Sequence, residues 1–260
     1  MAVRQSPHGG AVFISDLHLS GGEPARLEAF AHLSRELAPH GVSALYILGD
    51  LFEAWPGDDA RETSLGQAVA DILRSLNNAG VRLYFMAGNR DFLLGREFAA
   101  PLGMEVLPDP SRVVAGGVPL VVSHGDLLCT DDAPYQAFRR EVRSKDWQAR
   151  FLAQPLAKRE EIVTGLRAAS ESAKSTKSAD IMDVNAGAVK EMLAEHPGHD
   201  LLHGHTHRPA HHQIDVGGSM RGRWVLPDWD PLADPPRGGG ILATSGHLVP
   251  FGLSGLPERA

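Results

Sequence analysis

The stretch AVFISDLHL, residues 11–19, opens on an unbroken apolar run with β-branched and aromatic members. Such a run reads as a strand buried on both faces. It ends by setting a carboxylate and an imidazole, Asp16 and His18, two residues apart. The pairing of a buried strand with a polar terminus recurs along the chain. ALYIL (44–48) leads to Asp50, VRLYFMA (81–87) to Asn89 and VPLVVS (118–123) to His124. The short DLL run (200–202) leads into HGHTH, with His205 and His207. Between the strands, Leu27, Phe30, Leu33 and Leu37 recur at helical spacing, as do Leu65, Val69, Ile72, Leu73 and Leu76. Asn77, Asn78 and Gly80 close the second stripe, and Gly116–Gly117 read as a hairpin turn before the 118–123 strand. Strands alternating with helices predict a layered α/β fold. A further helix is expected over 183–195 and a late strand in ILATSG (241–246), within a Pro- and Gly-rich tail.

With 260 residues, 43% of them hydrophobic, the chain can bury one large α/β core and still carry an insertion. A net charge of -7 argues against a general nucleic-acid binder. A single cysteine, Cys129, excludes an intramolecular disulfide framework and fits a reducing cytoplasm. It has no base partner in view and is not read as a nucleophile. The first strand begins too early for a signal peptide, and no apolar run reaches the ~18 to 20 residues a bilayer span needs. A cytoplasmic protein is expected.

After Ser123 the pattern changes, and residues 133–177 read as helical. Residues 137–177 hold ten Lys/Arg against five Asp/Glu in an otherwise acidic chain, together with Phe138, Trp147, Phe151, Leu152, Leu156, Ile162, Val163 and Leu166. A basic helical insertion with aromatics suits a cap over an anionic amphipathic ligand, or a membrane surface. A solvated helical hairpin with its own small core accounts for the composition equally well.

The seven donors at the strand ends decide the chemistry. Ligands collect at the carboxyl ends of strands in α/β sheets. Asp16, His18 and His207 can reach one cation, and Asn89, His124 and His205 a second. Asp50, with two oxygens, is the natural bridge. Two divalent cations outweigh two aspartates and leave positive charge for phosphate oxygens and an activated hydroxide. Nitrogen and oxygen donors without thiolate suit Mn²⁺ or Fe²⁺, and sometimes Zn²⁺. Singly, each piece has an ordinary explanation: a chance D-x-H, a turn at Gly49–Asp50, an Asn89 in a left-handed turn, a core His124. Jointly, each follows an apolar strand and together they fill two coordination spheres. His203 and Asp126 are read as supporting rather than ligating, and His211, His212 and His247 as surface groups.

The order D-x-H, GD, GN-x-D, H-G and GH-x-H resembles that of the calcineurin-like metallophosphoesterases. The resemblance implies a four-layer α/β/β/α sandwich, here one domain with a helical cap at about residues 133–180. General members carry His where this chain has Arg90. Arginine is too weak an acid to protonate a leaving group, but its planar fork clamps phosphate oxygens, which points to a diphosphate. YILGDLFEAW, GNRDFLLG, HGDLLCTDDAPYQAFR, KSADIMDVN and HGHTHRPA further resemble the UDP-2,3-diacylglucosamine diphosphatases of lipid A biosynthesis, from residue 12 to about 210. That resemblance implies hydrolysis of acylated UDP-glucosamine to UMP and 2,3-diacylglucosamine 1-phosphate (lipid X), with two Mn²⁺ per chain. It also implies work at the cytoplasmic face of the inner membrane, and attack at the α-phosphorus. Catalytic roles carry over to Asp50, Asn89, Arg90 and His124, and substrate contacts to Asn89, Arg90, Asp132, Ser170, Lys177 and His205. Lys174 stands where the family carries Asn; it can still meet an anion. The alternatives are another phosphoesterase of this fold acting on a soluble nucleotide or phosphoprotein, and a metal-free scaffold, which would be expected to have lost ligands.

Overall fold

The computed structural model describes residues 4–5, 9–176 and 183–257, with 4–5 and 168–176 described by backbone alone. The chain runs β1 (Arg4–Gln5), β2 (Gly10–Ile14), α1 (Pro24–Leu37), β3 (Val42–Ile47), α2 (Ser64–Asn78) and β4 (Arg82–Met86). It continues through α3 (Arg96–Ala99), β5 (Met104–Leu107), β6 (Ser111–Ala115) and β7 (Val118–Ser123). Three helices follow, α4 (Ala133–Val142), α5 (Lys145–Leu152) and α6 (Leu156–Thr176). The last elements are α7 (Ala186–Glu195), β8 (Asp200–His203), β9 (Ala210–Val216), β10 (Ser219–Val225), β11 (Gly240–Thr244) and β12 (His247–Phe251).

Two six-stranded sheets result, in the orders β12-β11-β2-β3-β4-β5 and β1-β6-β7-β8-β10-β9. The apolar runs expected to be buried on both faces are so buried, and strand alternation sorts their side chains between two cores. In β3, Leu45 and Ile47 face the helices, while Ala44 and Tyr46 face the opposite sheet. Phe13, Tyr46 and Tyr84 stack across neighbouring strands with centroids 4.6 and 4.4 Å apart. Leu120, Val122 and Leu202 of the second sheet join the same cluster. Replacing Tyr46 by Ala there would open a cavity costing about 3 to 5 kcal/mol by analogy with other large aromatic truncations.

On the outer face of the first sheet pack Phe30, Leu33 and Leu37 of α1 and Val69, Leu73 and Leu76 of α2. On the outer face of the second, Val189, Met192 and Leu193 of α7 meet Val121 and Leu201. This is the expected α/β/β/α sandwich. The helix starts follow local chemistry: Thr63 Oγ1 accepts from Gly66 N at 3.1 Å, and Asn185 Oδ1 from Gly187 N and Ala188 N. Gly116 and Gly117 both have positive φ, which closes the two-residue β6–β7 turn between Ala115 and Val118.

Helices α4 to α6 do not form a separate solvated hairpin with its own core. Phe151 is buried in the main helix-side core, with Trp147, Ile162 and Val163 packed against it. Four of the segment's cations turn inward. Arg139 and Arg143 reach Asp126, Arg159 reaches Asp59 and Pro56 O, and Arg167 reaches Glu53. Among the described residues, no helix is long and apolar enough to cross a membrane.

Candidate metal centre and active site

All seven donors expected from the strand ends converge at the carboxyl ends of β2, β3, β4, β7 and β8. The approach is built by backbone. Asp16 N donates to Gly49 O, His18 N to Asp50 O and Leu19 N to Leu51 O, so the loops after β2 and β3 stay paired beyond the strands. Asp16, His18, Asp50, His205 and His207 all have positive φ, between 51° and 69°. Left-handed backbone costs on the order of 1 to 3 kcal/mol per non-glycine residue. Five such residues gathered at one place mark a site that the surrounding fold holds under strain. Gly88 is required for a different reason: a Cβ there would lie 2.1 Å from Asp50 Oδ1.

The donor atoms fall into two groups that share Asp50. In the first, His207 Nε2 lies 3.3 Å from both Asp16 Oδ1 and His18 Nε2, and His18 Nε2 lies 3.9 Å from Asp50 Oδ2. In the second, Asn89 Oδ1 stands 3.0 Å from His124 Nε2 and 2.8 Å from His205 Nδ1, and His124 Nε2 lies 3.8 Å from Asp50 Oδ1. Ligands at right angles around a cation with bonds of about 2.1 Å are about 3 Å apart, so these separations fit a metal. Asp16 Oδ1 is buried without a hydrogen-bond partner, while Oδ2 accepts from Ser15 Oγ and His205 N. An orphaned carboxylate oxygen facing two imidazole nitrogens is what a cation site looks like from its ligands.

The charges agree. Burial opposes ionisation of Asp16, yet His207, His124 and His18 hold it well below the usual carboxylate range. Burial would lower His124, but Asp50, Asp126 and Asp16 push it up to about 9. His205 goes the other way, down to about 3, through burial and then the nearby His124 charge. The carboxylates that raise His124 draw positive charge to the cluster, while burial and the His124 charge keep His205 neutral, the form in which an imidazole can ligate a metal.

Three carboxylates support this cluster: Asp126, read as supporting from the sequence, Asp91, which closes the GN-x-D motif without a role assigned there, and Glu53, which carried no signal of its own. Asp91 accepts from the backbone N–H of Gly88, Asp50 and Leu51 and so fixes the two loops against each other. Burial and the Asp50 charge push it up to about 7. Asp126 Oδ2 accepts from Tyr135 Oη and Arg139 Nε at 2.8 Å and Arg143 Nη2 at 3.3 Å, anchoring α4 beside the centre. Glu53 Oε2 lies 2.7 Å from His18 Nδ1. Burial works against the Glu53 charge, but His18, Arg90 and Arg167 bring it down to about 2. His203 is supporting, as expected: its ring accepts from Arg223 Nε and contacts Gly204 O, and burial lowers it to about 4.

The centre floors a cavity of about 820 Å³. Arg90 and Asp132 line it, with Arg90 N donating to Asp50 Oδ1 at 2.8 Å. Its other wall is apolar, made of Trp55, Phe92, Phe138, Trp147, Phe151, Val163 and Leu166. Of the remaining expected substrate contacts, Ser170 and Lys174 fall in the backbone-only part of α6, and Lys177 lies outside the described residues. Cys129 lines the cavity but is largely buried, and burial with nearby carboxylates pushes its thiol up to about 12, which leaves it protonated.

The profile of the calcineurin-like phosphoesterases matches residues 11–209, from the first strand of the centre to its last ligand loop. The chain belongs to the calcineurin-like phosphoesterase family. Among curated members, it is 52% identical over 219 residues to the UDP-2,3-diacylglucosamine hydrolase of Aromatoleum aromaticum, covering 84% of this chain and 89% of that one. It is 47% identical to the enzyme of that name from Stenotrophomonas maltophilia (84% and 90% covered). With that of Bordetella pertussis it shares 44% over 242 residues (92% and 93% covered). A dimetal phosphatase from Danio rerio shares the fold of this phosphoesterase, at TM-score 0.51 and 12% identity over 95% of this chain and 97% of its own. Membership implies divalent metals as cofactors, and the donor set fits them.

Proposed function

We propose that this phosphoesterase hydrolyses the diphosphate of UDP-2,3-diacylglucosamine to UMP and 2,3-diacylglucosamine 1-phosphate, a step of lipid A biosynthesis. The relatives named for this substrate support the reading. The observation that carries it is the shape of the cavity: one wall of metal-type donors and Arg90, the other of seven large apolar side chains. A soluble nucleotide or a phosphoprotein has no use for the apolar wall.

In this reading Asp16, His18, Asp50 and His207 would hold one Mn²⁺, and Asp50, Asn89, His124 and His205 the other. When bound, the cations supply charge against phosphate oxygens and acidify a water. The protein's own groups do the rest. Arg90 grips phosphate oxygens with its fork, joined by Asn89 and His205, and by Ser170, Lys174 and Lys177 of the cap (residues 133–180 of a single domain). Asp132, an acceptor, contacts a hydroxyl or N–H group of the substrate. The apolar wall takes the acyl chains and keeps bulk water from the reacting phosphorus. Water adds to the phosphorus bearing the nucleoside, and the acylated sugar 1-phosphate leaves. Because the substrate is a lipid, the enzyme works peripherally on the cytoplasmic side of the inner membrane.

The test is an assay of purified protein for UMP release from UDP-2,3-diacylglucosamine, beside deacylated and simple UDP-sugars. We expect turnover of the acylated substrate to dominate, to vanish on chelation and to return best with Mn²⁺. Equal turnover of the deacylated sugar, or full activity in verified metal-free protein, would overturn the reading.

A further inference from the structure

The two nitrogens of His18 face different groups. Nε2 points toward Asp16, Asp50 and His207, while Nδ1 lies 2.7 Å from Glu53 Oε2. The other oxygen of that carboxylate, Oε1, is 2.5 Å from Arg167 Nη2 and 3.9 Å from Arg90 Nη1. Arg167 belongs to α6, one turn after Val163 and directly after Leu166, both on the apolar wall of the cavity. A single, largely buried carboxylate therefore touches a candidate metal ligand with one oxygen and the cap helix with the other.

We propose that Glu53 is a positioning residue that ties the metal centre to the cap: it orients His18 through Oε2 and holds α6 over the cavity through Arg167 at Oε1. The Glu53 carboxylate, 2.7 Å from Nδ1 but off the N–H line, favours a proton on Nδ1 and so keeps the Nε2 lone pair toward the cation position. Charged partners of this kind stiffen and enrich metal ligands. The ion pair to Arg167 is sheltered, with the Glu53 side chain only 15% exposed, so solvent screens it less than a surface pair. Cap position and ligand orientation then depend on each other. The cap half of this inference rests on the substrate reading above; the His18 half does not.

The experiment uses the full chain as parent, Glu53→Ala, Glu53→Gln, Arg167→Ala and the Glu53→Gln/Arg167→Ala double variant, each checked for a native thermal melt. Mn²⁺ affinity is titrated calorimetrically without substrate, and KM and kcat are measured on UDP-2,3-diacylglucosamine at saturating Mn²⁺. Glu53→Ala should weaken Mn²⁺ binding by about 10- to 100-fold, the usual effect of removing such a partner. Glu53→Gln, whose amide oxygen can face Nδ1 in the same place, should recover most of that affinity and yet raise KM. Arg167→Ala should leave Mn²⁺ affinity within about twofold and raise KM to a similar extent, and the double variant should raise it no further, because partners in one contact are not additive. Parental Mn²⁺ affinity in Glu53→Ala, or Gln no better than Ala, would overturn the orienting role. A parental KM in Arg167→Ala, or additive effects in the double variant, would overturn the link to the cap. A parent without activity on the acylated substrate would defeat the substrate reading and with it the cap link, while the Mn²⁺ titrations would still decide the His18 contact.

Discussion

Asn89 and His205 lie 116 positions apart and follow strands of different sheets, yet Asn89 Oδ1 stands 2.8 Å from His205 Nδ1. The candidate centre therefore straddles the seam between the two sheets. Asp50 and His124 repeat the relationship, from β3 and β7. Packing of the two sheets against each other, through Tyr46, Met86, Val122 and Leu202, sets how closely these donors can approach.

Asp50 serves both donor groups, so its removal should harm both. Asp50→Ala is expected to lower activity by about 10³-fold or more, the scale of losing a dominant electrostatic group at a reacting centre. It should also leave less than one tightly held metal per chain by elemental analysis of dialysed protein. His18→Ala should spare the Asn89–His124–His205 group. Greater metal loss in His18→Ala than in Asp50→Ala would remove the bridge assignment.

Arg90→Lys keeps the charge and removes the fork. We expect kcat on the diphosphate to drop about 10- to 100-fold, on the scale of one or two charge-assisted hydrogen bonds, since a point charge does not reproduce a two-pronged contact. Steady-state kinetics read this directly, and parental rates would take Arg90 out of the reaction.

Phe138 and Leu166 are each 37% exposed on the apolar wall, so polar replacements there should cost little fold stability. The Phe138→Ser/Leu166→Ser double variant should lose about tenfold or more in kcat/KM on the diacylated substrate, because each side chain contributes about 1 kcal/mol or more of buried apolar contact. Turnover of a deacylated UDP-sugar should change little. Equal losses on both substrates would mean that the acyl chains are read elsewhere.

Asp109 is a buried carboxylate raised to about 6, first by burial and then by the Asp126 charge. In the unfolded chain it titrates at its ordinary value of 3.8. The native state thus binds this proton more tightly, and the stabilisation it brings is complete below 3.8 and lost as pH rises through about 6. Asp109→Asn, neutral throughout, should melt about 2 to 4 °C above the parent at pH 8 for each kcal/mol relieved. The gap should shrink at pH 5 and close at pH 4 in calorimetric scans. A gap independent of pH would show that ionisation of Asp109 is not what the protein is accommodating.

The buried strands and their polar ends were legible because both rest on residue type. A strand covered on both faces must be a continuous apolar run, and a metal donor must be a carboxylate, imidazole or amide. β9 and β12 were not legible. AHHQIDV and HLVPF gain their place by backbone pairing to β10 and β11, and backbone bonds leave no side-chain pattern. The solvated-hairpin alternative for the insertion also stayed open in the sequence. Composition counts Arg139, Arg143, Arg159 and Arg167 as surface charge until the structure shows them turned onto Asp126, Asp59 and Glu53.

By itself, then, the sequence determined the layered α/β architecture, the seven donors and the arginine that replaces the usual histidine, since each of these is local: a strand with its own terminus. The tertiary structure alone decided how closely Asp50, already the natural bridge in the sequence, approaches His18 and His124, that Asp91 locks the two loops, and that Glu53 meets His18 and the cap helix at once. A carboxylate in a loop looks the same in sequence whether it is solvated or buried against an imidazole. Only the distance to its partner, set by how two sheets and a cap pack, tells them apart.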